Sequence, residues 1–239
     1  MEKINLTKLI TERSHHSRRQ AEILIREGLI KVNGLIAKLG DKVENDCELE
    51  INNKKIENKQ DKKIYLKLNK PIGYTCTNKS FPGEKNIFSL IPLGEKLFSV
   101  GRLDKDSCGL IILTNDGDLN YQLTHPKFEH HKIYLIKLYF DRRLEDPAFI
   151  REIIRYFKNG IDIEERTLAK AKNIEYLGAN DFKIILAEGK KRQLRRMFAF
   201  FNLNIKELKR VDFAGIKLES LKDGEWKFLT PGEIKLLKE

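Results

Sequence analysis

The sequence predicts an α+β protein of two domains, a small one over residues 1–57 and a larger one over residues 64–239. Three observations predict it. The first segment carries two short helical patterns that run into short strands. The second alternates apolar strand runs with a few amphipathic helices. Between them, Asn58-Lys59-Gln60-Asp61-Lys62-Lys63 is wholly polar and reads as a linker. At 239 residues the chain is long enough for one medium domain and one small one.

In the small domain, Leu6, Leu9 and Ile10 give one short helix face. A second helix opens at Ser17, with Gln20 three residues on completing a capping box, and ends at Gly28. Ala21, Leu24 and Ile25 form its apolar stripe, while Arg19, Glu22 and Arg26 share another face. Arg13, Arg18 and Lys31 extend the basic surface, which serves equally as a solvated face or as a set of phosphate contacts. Lys31-Val32-Asn33-Gly34 predicts a strand running into a tight turn.

In the large domain, Ile64, Leu66 and Leu68 alternate toward Asn69-Lys70-Pro71-Ile72-Gly73, a strand followed by a Pro/Gly turn. The apolar run Leu110 to Leu113, bounded by Gly109 and the turn Asn115-Asp116-Gly117, predicts a buried strand. Ahead of it lies a charged loop with Arg102, Asp104 and Asp106, pinned against a rigid core, which by spacing alone serves equally as a plain turn before a strand or as a mount for catalytic groups. Residues 131 to 138 predict a strand with Tyr134, Ile136 and Leu138 on one face. Asp146-Pro147 starts a helix with Ile150, Ile153, Ile154 and Phe157 inward and Gly160 past its end. Phe182 to Leu186 is a further strand. The helix after Gly189 buries Leu194, Met197, Phe198 and Phe201 and carries Arg192, Arg195 and Arg196 on the opposite side.

Composition narrows the function. A formal net charge of +11 makes a polyanion the default partner. No apolar run reaches the roughly 18 residues needed to span a bilayer. The N-terminus lacks the apolar core of a signal peptide, so a cytoplasmic location without membrane attachment is expected. Cys47, Cys76 and Cys108 are odd in number and far apart, which gives neither a disulfide framework nor a zinc site. Cys108 reads as a packed thiol. The adjacent pairs His15-His16 and His130-His131 point apart and do not resemble metal ligands.

Several segments together resemble one family. Gly101-Arg102-Leu103-Asp104, Gly109-Leu110 and Thr114-Asn115-Asp116-Gly117 resemble the catalytic segment of bacterial rRNA pseudouridine synthases of the RsuA type. Ser17 to Ile25, Gly28 to Gly34 and Gly40-Asp41-Lys42-Val43 resemble an S4-type RNA-binding domain, although Ile4-Asn5-Leu6-Thr7 replaces its usual Arg-Leu-Asp opening. Asn69-Lys70-Pro71-Ile72-Gly73, Lys132-Ile133-Tyr134-Leu135, Arg192-Gln193-Leu194-Arg195-Arg196-Met197 and Leu208-Lys209-Arg210 resemble the remaining motifs. The resemblance implies a mixed, mainly antiparallel sheet in the catalytic domain. It implies Asp104 as catalytic carboxylate, Arg195 as its ion-pair partner, and Tyr134 and Leu208 against the target base. It also implies RNA contacts by Arg18, Arg19, Arg26 and Lys31, and further substrate contacts by Arg102, Lys70, Arg192 and Arg196.

Such an enzyme breaks the N1–C1′ bond of uridine, turns the uracil and rejoins it through C5, so no metal or organic cofactor is expected. One carboxylate serves, by attack at C6 or at C1′ or by removing the C2′ proton; the sequence leaves all three open. The base must leave its stack to be reached. The implied partner is ribosomal RNA or an assembly intermediate, closer in motif to the large-subunit enzymes with the small subunit open, and the chain is expected to act as a monomer. Two other classes stand beside this one. A ribosome-associated RNA-binding protein without catalysis keeps the fold, and a hydrolase would use Asp104 and Asp106 to hold Mg²⁺.

Overall fold

The computed structural model describes residues 3–14, 16–57, 62–79 and 82–239. His15 and the centre of the polar linker, residues 58–61, lie outside the described residues. The chain forms two compact units, Met1–Lys62 and Lys63–Glu239.

The first unit contains β1 (Lys3–Asn5), α1 (Leu6–Arg13), α2 (Arg18–Arg26), β2 (Ile30–Val32), β3 (Leu35–Ile36), β4 (Lys42–Glu44), β5 (Leu49–Ile51) and β6 (Lys54–Ile56). Asn5 caps α1, its side chain accepting from Thr7 N at 2.9 Å. Ser17 and Gln20 close the expected capping box on α2. β3-β2-β5-β6 form a four-stranded sheet, and Asn33 and Gly34 turn β2 into β3 with φ of 49° and 80°. Leu6, Ile10, Ala21, Ile25, Ile30, Leu49 and Ile51 make the core. Arg13 does not join the basic surface: its guanidinium donates to the Cys47 carbonyl at 2.8 Å and to that of Asn45.

The second unit contains β7 (Tyr65–Lys70), β8 (Tyr74–Thr75), β9 (Lys85–Asn86), β10 (Phe98–Val100), β11 (Cys108–Thr114), α3 (Gly117–Thr124), β12 (Lys132–Leu138), α4 (Pro147–Asn159), β13 (Asn173–Gly178) and β14 (Asp181–Leu186). It continues with α5 (Gln193–Ala199), β15 (Ile205–Phe213), β16 (Ile216–Lys217), β17 (Trp226–Phe228) and α6 (Pro231–Lys238). A nine-stranded sheet runs β13-β14-β12-β15-β11-β7-β17, with β10 added to β11 and β16 to β15. Within it only β11 and β15 are parallel.

Both faces of this sheet are covered. Ile153 and Phe157 of α4 and Leu194, Met197 and Phe198 of α5 join one core with Leu66, Leu68, Ile111, Leu113, Tyr134, Ile136 and Leu208. Leu119 and Leu123 of α3 and Leu237 of α6 join the other, with Tyr65, Leu110 and Ile112. That explains the unbroken apolar run at 110–113, since a strand buried on both sides has no polar face. It also corrects the reading of β7, whose alternation at 64–68 hid a strand buried at all six positions. Lys67, only 3% exposed, is tolerated there because Glu219 (2.9 Å) and Glu233 (2.8 Å) neutralise it. A second correction concerns Asn115-Asp116-Gly117. Asp116 caps α3 by accepting from Leu119 N, so the predicted turn is a helix start.

Candidate active site

The loop before β11 is fixed through its own backbone. Four successive carbonyls are held: Asp104 O by Ser107 N (3.1 Å), Lys105 O by Gly73 N (2.7 Å), Asp106 O by Arg195 Nη2 (2.7 Å) and Ser107 O by Lys70 Nζ (2.6 Å). One residue earlier, Cys76 Sγ meets both the N and the O of Leu103 at 3.4 Å. One bond closes the loop on itself and the other three come from the segment 70–73 and from Arg195 of α5, so the loop has little freedom to rearrange.

Lys70 is the first site residue whose expected role fails. Its side chain is fully buried, and its ammonium is spent on the carbonyls of Ser107 and Pro71. Burial lowers its pKa. It braces the loop and is closed to an RNA phosphate.

The arginine pairing differs as well. Arg195, expected against Asp104, instead approaches Asp106, with Nε 3.2 Å from Oδ2 but not aligned as a hydrogen bond, and its Nη2 also meets Ser107 Oγ at 3.3 Å. Arg192 is the guanidinium beside Asp104, at 3.9 Å, while donating to both oxygens of Asp106 at 3.2 and 2.9 Å. Arg192 therefore does not stand on the outward side of the helix. It caps α5 in the left-handed region, φ 51°, where a side chain is strained, and that backbone turns it toward the loop. Arg196 faces elsewhere, bound to Glu165 at 3.0 Å.

Electrostatically, Asp106 is the anchor and Asp104 the freer carboxylate. Burial pushes the Asp106 pKa up, but the hydrogen bonds from Arg192 and the charge of Arg195 overrule it and hold the group below the usual range. Among the described residues the Asp104 carboxylate, with 41% of its side chain exposed, carries only the long approach of Arg192. Beside the loop, Tyr134 and Leu208 are 8% and 6% exposed and share one core with Leu103. Tyr134 stands opposite Arg210 in the β12–β15 ladder, and Leu208 opposite Ile136. Arg102 is exposed. The Cys108 thiol is buried and its pKa raised by burial and by Glu207, as suits a packed thiol.

A row across the sheet joins these parts. Lys70, Gly109, Arg210 and Tyr134 are consecutive register partners on β7, β11, β15 and β12. Gly109, at φ 101°, has no room for a side chain: a Cβ there would lie 2.2 Å from the Arg210 carbonyl oxygen. In the first unit, Arg18, Arg19 and Arg26 are exposed and Lys31 half-buried. Sequence reasoning missed the anchoring role of Asp106 and the burial of Arg210. The second had a signal, a charged residue at the position in Leu208-Lys209-Arg210 that shares the core-facing side of the strand with Leu208.

Comparisons with known proteins place this arrangement. The profile of the RNA pseudouridylate synthase family matches residues 64–200, and that of the S4 domain matches residues 7–46. An uncharacterized RNA pseudouridine synthase from Borreliella burgdorferi is 38% identical, covering 96% of this chain and 91% of that protein. Ribosomal large subunit pseudouridine synthase B from Bacillus subtilis is 36% identical, over 98% and 95% respectively. A solved pseudouridylate synthase superposes with a TM-score of 0.68 at 31% identity, covering 98% of this chain and 99% of that one. The chain belongs to the RNA pseudouridylate synthase family. Within it, the S4 domain ahead of the catalytic domain marks an RsuA-type RNA pseudouridine synthase.

Proposed function

We propose that this enzyme isomerises one specific uridine of ribosomal RNA, with Asp104 as the reacting carboxylate. The observation that carries the reading is the loop: every carbonyl from Asp104 to Ser107 is held, Asp106 is locked by two arginines, and Asp104, of the two loop carboxylates, is the loosely paired one, with its side chain still open to solvent. A rigid backbone presenting one free carboxylate is what precise attack on a nucleotide requires. Arg192 stands 3.9 Å from it without sealing it off. The target uridine is flipped from its stack, at a cost of about a few kcal/mol, and its base is received against Tyr134 and Leu208. All three routes open to the carboxylate need it ionised and aimed at the ribose–base junction.

In this reading the S4-type domain, residues 1–57, holds the RNA through Arg18, Arg19, Arg26 and Lys31, and phosphate contacts of this kind position without reading sequence. The name of the Bacillus subtilis relative favours the large ribosomal subunit. The enzyme works as a monomer in the cytoplasm, on rRNA or an assembly intermediate. Mapping pseudouridines in rRNA from cells with and without the gene tests this. One site should vanish and return with the wild-type gene but not with Asp104→Asn. An unchanged map, or full rescue by that variant, would overturn it.

A further inference from the structure

Arg210 and Lys132, near the site, have no carboxylate partner among the described residues. Arg210, 2% exposed, donates from Nε to the Leu110 carbonyl at 2.7 Å, and its buried Nη2 has no hydrogen-bond partner among the described residues. Lys132, half-buried, gives its ammonium to the His130 carbonyl at 3.0 Å. Both cations lie over the Phe213 ring, at 5.2 and 5.8 Å from its centroid. Buried positive charge is ordinarily paired, and here like charges converge instead. The geometry follows from the sheet: the parallel β11–β15 ladder ends at Gly109↔Arg210, so the next carbonyl on β11, Leu110, is met by the arginine side chain.

We propose that Lys132 and Arg210 form an anion-binding crevice for a backbone phosphate of the RNA strand beside the target nucleotide, Lys132 making the contact and Arg210 supplying the field behind it. This rests on the reading of the protein as an RNA pseudouridine synthase. Lys132 lies two residues before Tyr134 on β12 and so on the same side of the strand, while Arg210 faces Tyr134 directly. The surroundings suit a polynucleotide better than a free anion. The His130 ring stands between Phe213 and Phe128, at 6.5 and 6.3 Å, and Phe128 is 40% exposed with Lys127 Nζ 4.6 Å above it. Ring faces beside a cationic groove are how single strands are held.

The crevice has a measurable signature. Burial, and then Arg210, push the Lys132 pKa down to about 8. Glu188 acts in the opposite sense, but its oxygens are engaged by Gln193 at 2.7 Å, the Lys170 backbone N at 3.0 Å and Lys190 at 3.0 Å. His130 and His131 flank Lys132 on its own segment, and burial lowers the His130 pKa. A phosphate binds the protonated ammonium, so affinity falls as pH rises through the Lys132 pKa.

The test is fluorescence anisotropy of labelled dodecauridylate with the full-length protein. Between pH 7 and 9 the dissociation constant should rise by up to roughly tenfold, the change in protonated fraction for a pKa near 8. Lys132→Met should weaken binding at pH 7, remove this decline, and reduce the log–log salt slope by about 0.7, one single-strand phosphate contact. Lys132→Arg should keep the pH 7 affinity and lose the decline. Arg210→Met, with its melting curve checked, should weaken binding and move the midpoint of the decline upward; if it fails to fold, the two Lys132 variants decide. An unchanged pH profile and salt slope in Lys132→Met would overturn the crevice. Pseudouridine formation on rRNA transcripts, measured in parallel, reports separately on the enzymatic reading.

Discussion

Gly109→Ala is the sharpest probe of how the sheet carries the site. The added Cβ would sit 2.2 Å from the Arg210 carbonyl oxygen and 2.7 Å from its nitrogen, both backbone atoms without a rotamer to yield. Ordinary contact begins about 1 Å further out, and the β11–β15 ladder that would have to open is only two residue pairs long. A side chain at φ 101° adds its own strain, about 1–3 kcal/mol. Overpacking between fixed neighbours costs about 1–3 kcal/mol more. Together they predict a loss of about 2–6 kcal/mol, or roughly 5–20 °C in Tm for a unit of this size. Gly178→Ala is the control: φ is 88°, but nothing lies within 4 Å, so only the conformational cost applies. Thermal and urea unfolding by circular dichroism measure both. If Gly109→Ala cost no more than Gly178→Ala, the close approach of β11 and β15 would be wrong, and the row Lys70–Gly109–Arg210–Tyr134 with it.

Three further outcomes are expected. Arg192→Ala and Arg195→Ala should each lower single-turnover rate by about 10–100-fold, the worth of a lost hydrogen bond to a charged group, with little change in RNA affinity. Arg196→Ala, whose guanidinium serves Glu165, should not; equal effects in all three would remove the loop from the argument. Tyr65→Phe deletes the 2.6 Å hydrogen bond to Asp116 and should cost about 1–2 kcal/mol at pH 7 by urea unfolding. Burial, then Asp116, raise the Tyr65 pKa, so its contribution is present below the unfolded value near 10 and fades as pH climbs above it; the gap between wild type and variant should narrow in alkali, and a widening gap would refute the assignment. Deleting residues 1–57 should leave a folded catalytic unit, because its core strands begin beyond Ile64, with weaker RNA binding and a shallower salt slope. An unchanged slope would show that the N-terminal arginines do not touch RNA.

Local order was legible because it is written locally. Ser17 with Gln20 closes a capping box, Asp146-Pro147 starts α4 and Gly160 stops it, and Tyr134, Ile136 and Leu138 line one face of β12, since caps and periodicities depend on neighbours within a turn or two. The charged loop before a buried strand was visible for the same reason. The fate of charges inside strands was signalled in the sequence only at Arg210, by its place on the core-facing side of its strand. Lys67, Lys70 and Arg210 each look solvent-facing by type, and each is buried because a second layer or a neighbouring strand covers it and distant groups accept its hydrogen bonds. Nor could spacing decide which carboxylate meets which arginine. Asp104 and Asp106 lie two residues apart and some ninety residues before α5, and the left-handed backbone at Arg192 together with the pinned loop delivers Asp106, not Asp104, to Arg195. The sequence determined the elements, the loop and the family it resembles. Register and burial, which exist only between segments far apart in the chain, decided which side chains brace the loop and which carboxylate stays loosely paired.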